Sequence, residues 1–417
     1  MAQTGTSDAG RSVRILFLTH RLPYAPNRGD RIRAFHLLRI LSARFDVDLV
    51  SLVHDEDERH RVDALRSMTA SVSIAPVRRG RLAAAALALP TSQPLTHVLL
   101  HSPHMPGTIR GVTNCHRPDV VLAYCTGMAR YALEPPLASI PCLLDMVDVD
   151  SAKWETLSSN ASWPLCAIYR REARLLRRFE HHAIEHAAAT TVVNEREHQL
   201  VADIGSASRV VVVPNGVDLD GFTPTGPPAT EPRVVFCGVF NYGPNEAGAL
   251  WLASRVWPLV RNREPRAQLS LVGMNPSRAV AALSRDRSIH VTGAVPDVRP
   301  YLWGAAVSVA PLHVARGVQN KVLEAIASGL PCVVTPEVLE GLPAAARAAC
   351  RSASEPQAFA DRILCLLRET PEARRGLSRR ARVEDLVWER QLHPMIDLVA
   401  SIAQPQPITE RARPGHH

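Results

Sequence analysis

Short β-branched apolar runs alternate with amphipathic helical patterns along most of this chain. The first series of runs predicts strands at 13–19, 46–53, 71–77, 119–124, 142–147, 189–193 and 210–213. A second series predicts strands at 234–237, 268–272, 289–292, 307–310 and 332–335. Strands that alternate with helices form parallel sheets covered by helices on both faces, so the pattern predicts an α/β protein.

A segment rich in proline and glycine at 214–232 separates the two series and predicts a linker. We therefore expect an N-terminal domain at 12–213, a hinge at 214–232 and a second domain at 233–371. Helices at 372–403 are expected to cross back to the first domain, and the Pro- and Arg-rich tail at 404–417 to be disordered. Doubly wound sheets bind ligands at the carboxyl ends of their strands, so two facing domains predict a cleft site.

Composition agrees with a globular chain that stays in the cytoplasm. Of 417 residues, 46% are hydrophobic and 21% charged. The longest strongly apolar run, 82–89, is far shorter than the ~20 residues that cross a bilayer, and 13–19 is too short for a signal peptide. The eight cysteines form no CxxC pair, which favours reduced core cysteines over a metal site.

The chain is basic, with a formal net charge of +8, and its only lysines are Lys153 and Lys321. This balance suits an anionic partner such as nucleotide phosphate or anionic lipid. With 5% aromatic residues and no basic-aromatic module, nucleic acid is not expected as a partner.

The turn after the first predicted strand leads directly into a helix, with apolar residues at a helical period and arginines on the other face. Gly29 would let a ligand approach the backbone, the helix N-terminus would offer N–H groups to an anion, and Arg28 and Arg31 would add charge. A plain connecting loop is the alternative.

Three carboxylates, Asp145, Asp148 and Asp150, follow the strand at 142–147. They could orient sugar hydroxyls or bind a metal, or Asp150 could simply cap a helix. Because their spacing does not place them on one face, we expect no metal site.

The segment 316–331 has the pattern of a helix opened by Gly317 and closed at 329–331. A diphosphate could lie over its N-terminus with Lys321 as counter-charge, and Glu324 could accept hydrogen bonds from ribose hydroxyls. The alternative is an exposed Lys–Glu pair worth only ~0.3 kcal/mol.

At these motifs the sequence resembles the retaining GT-B glycosyltransferases of family GT4. Residues 215–218 with Phe222 resemble the hinge of that family, and residues 321–325 with 329–331 resemble its donor-binding helix. The resemblance as a whole covers about residues 13–400. The stretches 145–154 and 316–321 resemble the branch associated with bacterial exopolysaccharide and exosortase (PEP-CTERM) loci. Two features depart from the family: Arg316 stands where a first glutamate is usual, and the loop after Gly238 lacks the usual Arg and Lys.

The resemblance implies a GT-B enzyme with two Rossmann-like domains facing a cleft. It implies a hexosyltransferase that moves a sugar from a nucleotide diphosphate sugar, with retention, to a saccharide acceptor that is lipid-linked at the inner membrane face, in exopolysaccharide biosynthesis. No metal or other cofactor is obligatory. Motifs and resemblance together assign catalytic roles to Lys321, Arg316 and Asp148. They assign donor binding to Gly29, Arg28, Gly238, Asn241, Gly317, Val318, Asn320, Lys321 and Glu324.

Two other functions stay open at this point. One is a nucleotide-sugar 2-epimerase of the same two-domain form, and the other is a non-catalytic scaffold in a polysaccharide assembly. A further hypothesis concerns the arginines at 78, 79 and 81 before the apolar run 82–89. They predict a surface element that docks peripherally on anionic lipid, with a buried helix as the alternative.

Overall fold

The computed structural model describes residues 12–24, 29–78, 80–159, 161–206, 209–315 and 317–404. Arg28, Arg79, Arg316 and the tail beyond Gln404, which include several of the predicted features, lie outside these residues. The first sheet contains β1 (Arg14–Thr19), β2 (Asp46–Val53), β3 (Ser71–Pro76), β4 (Val120–Tyr124), β5 (Cys142–Val147), β6 (Ala189–Val192) and β7 (Val210–Val212). The second contains β8 (Arg233–Cys237), β9 (Gln268–Val272), β10 (Ile289–Val291), β11 (Val307–Ala310), β12 (Cys332–Val334) and β13 (Cys350–Ser352).

Helices connect the strands throughout both series. Those among the first seven strands are α1 (Gly29–Ser42), α2 (Glu56–His60), α3 (Asp63–Arg66), α4 (Arg81–Ala88), α5 (Leu95–Leu99), α6 (Met105–Cys115), α7 (Thr126–Ala132), α8 (Asp150–Ser159), α9 (Leu165–His186) and α10 (Glu195–Ala202). The later ones are α11 (Leu219–Phe222), α12 (Gly243–Trp251), α13 (Trp257–Arg263), α14 (Arg278–Ala281), α15 (Arg299–Trp303), α16 (Asn320–Ala327), α17 (Pro336–Gly341), α18 (Ala344–Arg347), α19 (Pro356–Arg368), α20 (Pro371–Ser378), α21 (Trp388–Gln391) and α22 (His393–Ala403). A π-helical turn, Leu252–Val256, joins α12 to α13.

Both sheets are parallel and have the same connectivity. Their strand orders are β3-β2-β1-β4-β5-β6-β7 and β10-β9-β8-β11-β12-β13. The order therefore reverses between β1 and β4 in the first sheet and between β8 and β11 in the second. Ligand crevices form at such switch points, outside the carboxyl ends of the strands. The predicted pair of Rossmann-like domains is confirmed.

The C-terminal helices pack on the first sheet. Trp388, Leu392, Met395 and Val399 are buried in the same core cluster as Phe17 of β1. The chain reaches this position beside the hinge, where the Val217 amide donates to the Leu386 carbonyl at 2.8 Å. Gly216 is required there, because a Cβ at this position would lie 2.5 Å from Trp388 Cα. Apolar burial thus joins the two ends of the chain in one core.

Two expectations about helix faces need correction. On α1 the arginines are not all on a solvent face, since Arg31 and Arg33 are 5% and 1% exposed. On α4 the alternative of a buried helix is wrong, since Leu82 and Leu87 are 76% and 78% exposed. None of the described helices is long and apolar enough to cross a membrane.

Candidate functional site

The crevice of the second sheet is formed by two loops that leave β8 and β11. The first loop, 238–242, connects β8 to α12, and the second, 311–319, connects β11 to α16. The first loop touches its neighbour so closely that a Cβ on Gly273 would lie 1.8 Å from the Gly238 carbonyl oxygen. Glycine is needed at position 273, where φ is +147°. Backbone is therefore what lines this part of the crevice.

Helix α16 presents an open N-terminus to the crevice. Val322 and Ile326, spaced four residues apart, are 1% and 2% exposed and anchor the helix on the core of the second sheet. Gly317, with φ of +64°, turns the chain into the helix, and the N-cap residue Gln319 makes no side-chain capping hydrogen bond to its first turn. Free N–H groups and the helix dipole at such an end attract anions.

The two charged side chains of α16, Lys321 in its first turn and Glu324 one turn further on, are half-buried. Lys321 Nζ donates to Asn245 Oδ1 at 2.6 Å and lies 5.3 Å from the centroid of the Phe236 ring. Burial lowers the pKa of Lys321 to about 8, although Cys237 and Glu324 oppose the shift. Burial also raises the pKa of Glu324 to about 7, with Lys321 opposing. The Lys–Glu surface ion pair is not formed between these two described side chains.

The three carboxylates after β5 have three different environments. Asp145 is fully buried in an ion pair with Arg33. Asp148 faces the second domain, where a Cβ on Gly317 would lie 2.4 Å from Asp148 Oδ1. Asp150 begins α8, and burial raises its pKa while Lys153 opposes the shift. Of the three, only Asp148 is placed against the α16 loop.

Helix α8 contrasts with α16, because two buried glutamates occupy its N-terminus. Glu197 accepts a hydrogen bond from the Val149 amide at 2.7 Å, and Glu180 accepts one from the Ser151 amide at 3.0 Å. Burial raises the pKa of Glu180 to about 7. This helix start is therefore filled by the protein's own carboxylates. Among the described residues, no group of three His, Cys, Asp or Glu side chains could hold a metal.

Lys153, which the motifs did not single out, lies beside the loop after β8. It extends from the first turn of α8, and its Nζ lies 6.0 Å from the Tyr242 ring centroid in the loop after β8. Asp150 and Asp148 raise its pKa against the effect of burial. The sequence offers one signal for it, because Lys153 and Lys321 are the only two lysines of the chain.

A hydrogen-bonded path connects the first sheet to α16. Arg33 donates to both carboxylate oxygens of Asp145 at 2.8 and 3.1 Å, and through Nη1 to Asn215 Oδ1 at 3.0 Å. Asn215 Nδ2 in turn donates to Asn320 Oδ1 at 2.9 Å. Asn320, predicted as a donor ligand, thus uses its side-chain oxygen to contact the hinge.

The other predicted residues are distributed as follows. Gly238, Gly317 and Lys321 lie together at the crevice of the second sheet, and Asn241 is exposed in the loop after β8. Val318 is 9% exposed and packs in the core of the second domain, so its side chain is not placed for donor contact. Gly29 begins α1 in the first domain. Arg28 and Arg316 lie outside the described residues.

Comparison with known proteins agrees with this architecture. Residues 231–369, a third of the chain, match the family model of the glycosyl transferases group 1. No curated protein matches the sequence. The structure of Anabaena Alr3699/HepE in complex with UDP and glucose is similar with a TM-score of 0.65 and 13% identity, over 93% of this chain and 100% of that one. WaaG, a glycosyltransferase involved in lipopolysaccharide biosynthesis, is similar with a TM-score of 0.63 and 14% identity, over 92% and 98%.

These matches extend the sequence analysis in two ways. Structural similarity over nearly the whole chain confirms the predicted GT-B fold, with both Rossmann-like domains aligned. The family match falls on the segment that carries the α16 motif, and it confirms the prediction of a transferase enzyme. The chain therefore has the fold of a GT-B glycosyltransferase, and its second domain is similar to the glycosyl transferases group 1 over residues 231–369.

Proposed function

We propose that this protein transfers a sugar from a nucleotide diphosphate sugar to a saccharide acceptor, with retention of anomeric configuration. The observation that carries the proposal is the uncapped N-terminus of α16 beside the ammonium of Lys321. An anion in this position would meet free N–H groups, a helix dipole and a cation together. The similarity to HepE, whose structure contains UDP, favours a nucleoside diphosphate as that anion.

The remaining polar groups suit the sugar and the ribose. Glu324 lies one turn beyond Lys321 and supplies oxygens that accept hydrogen bonds from ribose hydroxyls. Asp148 reaches the α16 loop from the first domain and is the carboxylate available to orient a sugar or acceptor hydroxyl. Donor and acceptor would then meet between the two domains, where positioning accounts for a large part of the rate.

The chemistry requires no side-chain nucleophile. The acceptor oxygen bonds to the anomeric carbon on the face from which the diphosphate departs, and the bond between that carbon and the phosphate oxygen breaks. The acceptor proton passes to the departing diphosphate oxygen. Lys321 and the α16 dipole stabilise the negative charge that grows on the leaving group, which is the step where fixed charges lower a barrier most.

The acceptor is a lipid-linked saccharide of an exopolysaccharide pathway, held at the inner membrane face. Helix α4 supports this proposal, because its exposed side carries Leu82, Ala83, Ala86 and Leu87 directly after the exposed Arg78. It follows the carboxyl end of β3, the edge of the sheet where ligands bind. An apolar helix side beside basic charge binds anionic membrane surfaces.

Donor binding and kinetics test the proposal. The full chain is screened by thermal shift against UDP, GDP, ADP and their sugars, where a ligand at 100 times its Kd stabilises by ~2.7 kcal/mol. Lys321→Ala should lower kcat on the order of 10²-fold. Glu324→Gln should mainly weaken donor binding, by ~1–3 kcal/mol. Arg174→Ala, which removes an exposed arginine of α9, is the matched control.

Two outcomes would refute the proposal. Either no nucleotide in the panel stabilises the wild type, or Lys321→Ala keeps normal turnover while folded by circular dichroism. Conversion of the donor sugar without release of nucleotide would indicate a 2-epimerase. Retention is read separately by NMR, from the anomeric configuration of the product.

A further inference from the structure

The two lysines of the chain stand on opposite domains of the proposed donor site. Lys321 belongs to α16 of the second domain and contacts Asn245. Lys153 belongs to α8 of the first domain and reaches toward Tyr242. The Tyr242 carbonyl accepts a hydrogen bond from the Asn245 amide at 2.9 Å, so the two lysines approach the same turn at the start of α12.

The position of Lys153 is unfavourable for α8 itself. A cation in the first turn of a helix opposes the helix dipole, and an ordinary stabilising charge there would be an acid. The N-terminus of α8 already receives two buried carboxylates, Glu180 and Glu197. The helix dipole therefore does not favour a lysine at this position. The neighbouring Asp148 and Asp150 do favour it, and a negative ligand between the domains would add to their effect.

Lys153 is held in its charged form. Burial in the protein lowers the pKa of Lys153, but Asp150 in the same helical turn and Asp148 before the helix raise it. The net effect is a raised pKa, which favours the ammonium. The loop that it faces, 238–242, has the sequence Gly-Val-Phe-Asn-Tyr and contains no basic residue. Among the described residues of the second domain, Lys321 is the cation that a diphosphate lying between this loop and α16 would meet.

We propose that Lys153 binds the donor diphosphate from the first domain and supplies the charge that the loop after β8 lacks. This inference rests on the proposed function and names a further residue of the same site. Lys153 contacts the distal phosphate, because the distal phosphate carries the sugar and must face the first domain, where the acceptor binds. Since Lys153 and Lys321 come from different domains, the diphosphate is fully neutralised only when the domains are closed around it.

The test compares nucleotides that differ by the distal phosphate. Calorimetry on the full chain measures UDP and UMP binding to the wild type, Lys153→Ala, Lys153→Arg and the control Arg174→Ala. We expect Lys153→Ala to weaken UDP binding about tenfold, as loss of one charged hydrogen bond does, and to leave UMP binding within about twofold. Lys153→Arg should restore most of the UDP affinity. Turnover with the donor should fall with UDP affinity.

The outcomes separate this inference from the proposed function. If the wild type binds none of UDP, GDP and ADP, the proposed function fails and this inference fails with it. If the wild type binds UDP and Lys153→Ala binds UDP equally well, only the role of Lys153 is refuted. Equal weakening of UDP and UMP would also refute it, since that is the result of a structural role. Should Lys153→Ala fold poorly by circular dichroism, Lys153→Gln is compared in its place under the same criteria.

Discussion

Replacing Arg33 by methionine should destabilise the first domain strongly. The arginine is 1% exposed and Asp145 is fully buried, so the substitution leaves a carboxylate in the core without its cation. The remaining partner of that carboxylate is the Thr191 hydroxyl, which donates to Oδ1 at 2.8 Å. Breaking one side of a buried ion pair costs about 3–5 kcal/mol. Domains are stable by only about 5–15 kcal/mol, so the loss is a large fraction of the total.

A second variant tests whether the cost arises from the unpaired charge. In Arg33→Met combined with Asp145→Val, no buried carboxylate is left, and we expect at least half of the lost stability to return. Recovery is incomplete because the Val213 carbonyl, which accepts from Arg33 at 2.8 Å, loses its donor in both variants. Arg33→Met alone should therefore lower the free energy of unfolding more than the double variant does, although the double variant replaces one more residue.

Urea unfolding of the full chain followed by circular dichroism measures these differences. Because a two-domain chain does not have to unfold in one step, hydrogen exchange of the β5 amides identifies the transition of the first domain. A cost below about 1 kcal/mol for Arg33→Met would refute the argument. So would a double variant that is less stable than the single one.

Three further predictions concern the site and the surface. Gly317→Ala should lower the free energy of unfolding by about 1–2 kcal/mol and weaken UDP binding, because φ is +64° and the added Cβ would lie 2.4 Å from Asp148 Oδ1. Thermal melting and calorimetry measure both effects. Combining the variant with Asp148→Ala should restore part of the lost stability and UDP affinity. UDP affinity should fall as pH rises through about 8, where Lys321 loses its charge. Lys321→Arg stays charged and should abolish this pH dependence. An unchanged pH dependence in Lys321→Arg would refute the assignment of Lys321 to the diphosphate. In vesicle flotation, the wild type should bind anionic vesicles more than neutral ones, and the double variant Leu82→Gln, Leu87→Gln should bind less. Equal binding to both kinds of vesicle, or no binding, would refute docking through α4.

The fold was largely predictable because its determinants are local. Apolar runs such as those of β1 and β8 are separated by helical patterns, and this alternation specifies parallel sheets without knowledge of any long-range contact. The α16 motif was predictable for the same reason: Gly317, the Val322–Ile326 spacing and Lys321 lie within a few residues of one another. Their placement needs only the geometry of one helix.

Side chains whose role depends on distant partners could not be predicted. Arg33 has the spacing of a solvent-facing arginine, and its burial follows from Asp145, which is 112 residues away. Asp145 itself was grouped with Asp148 as a strand-end carboxylate, although the arginine removes it from the site. Similarly, α9 has the sequence pattern of a basic surface helix. The buried position of its Glu180 depends on the Ser151 amide of α8, which donates a hydrogen bond to it.

The same distinction explains why the α16 helix start is open while the α8 helix start is closed. Both helices follow the carboxyl end of a parallel strand, and both ends would attract an anion through dipole and N–H groups. At α8 two glutamates from α9 and α10 fill that position, whereas at α16 the N-cap residue Gln319 makes no side-chain capping hydrogen bond. The two lysines therefore differ in their surroundings: Lys321 lies in the first turn of α16, and Lys153 lies beside carboxylates at the start of α8. The ammonium of Lys153 lies 6.0 Å from the ring centroid of Tyr242 in the loop after β8, and Lys321 contacts Asn245 three residues further along that segment.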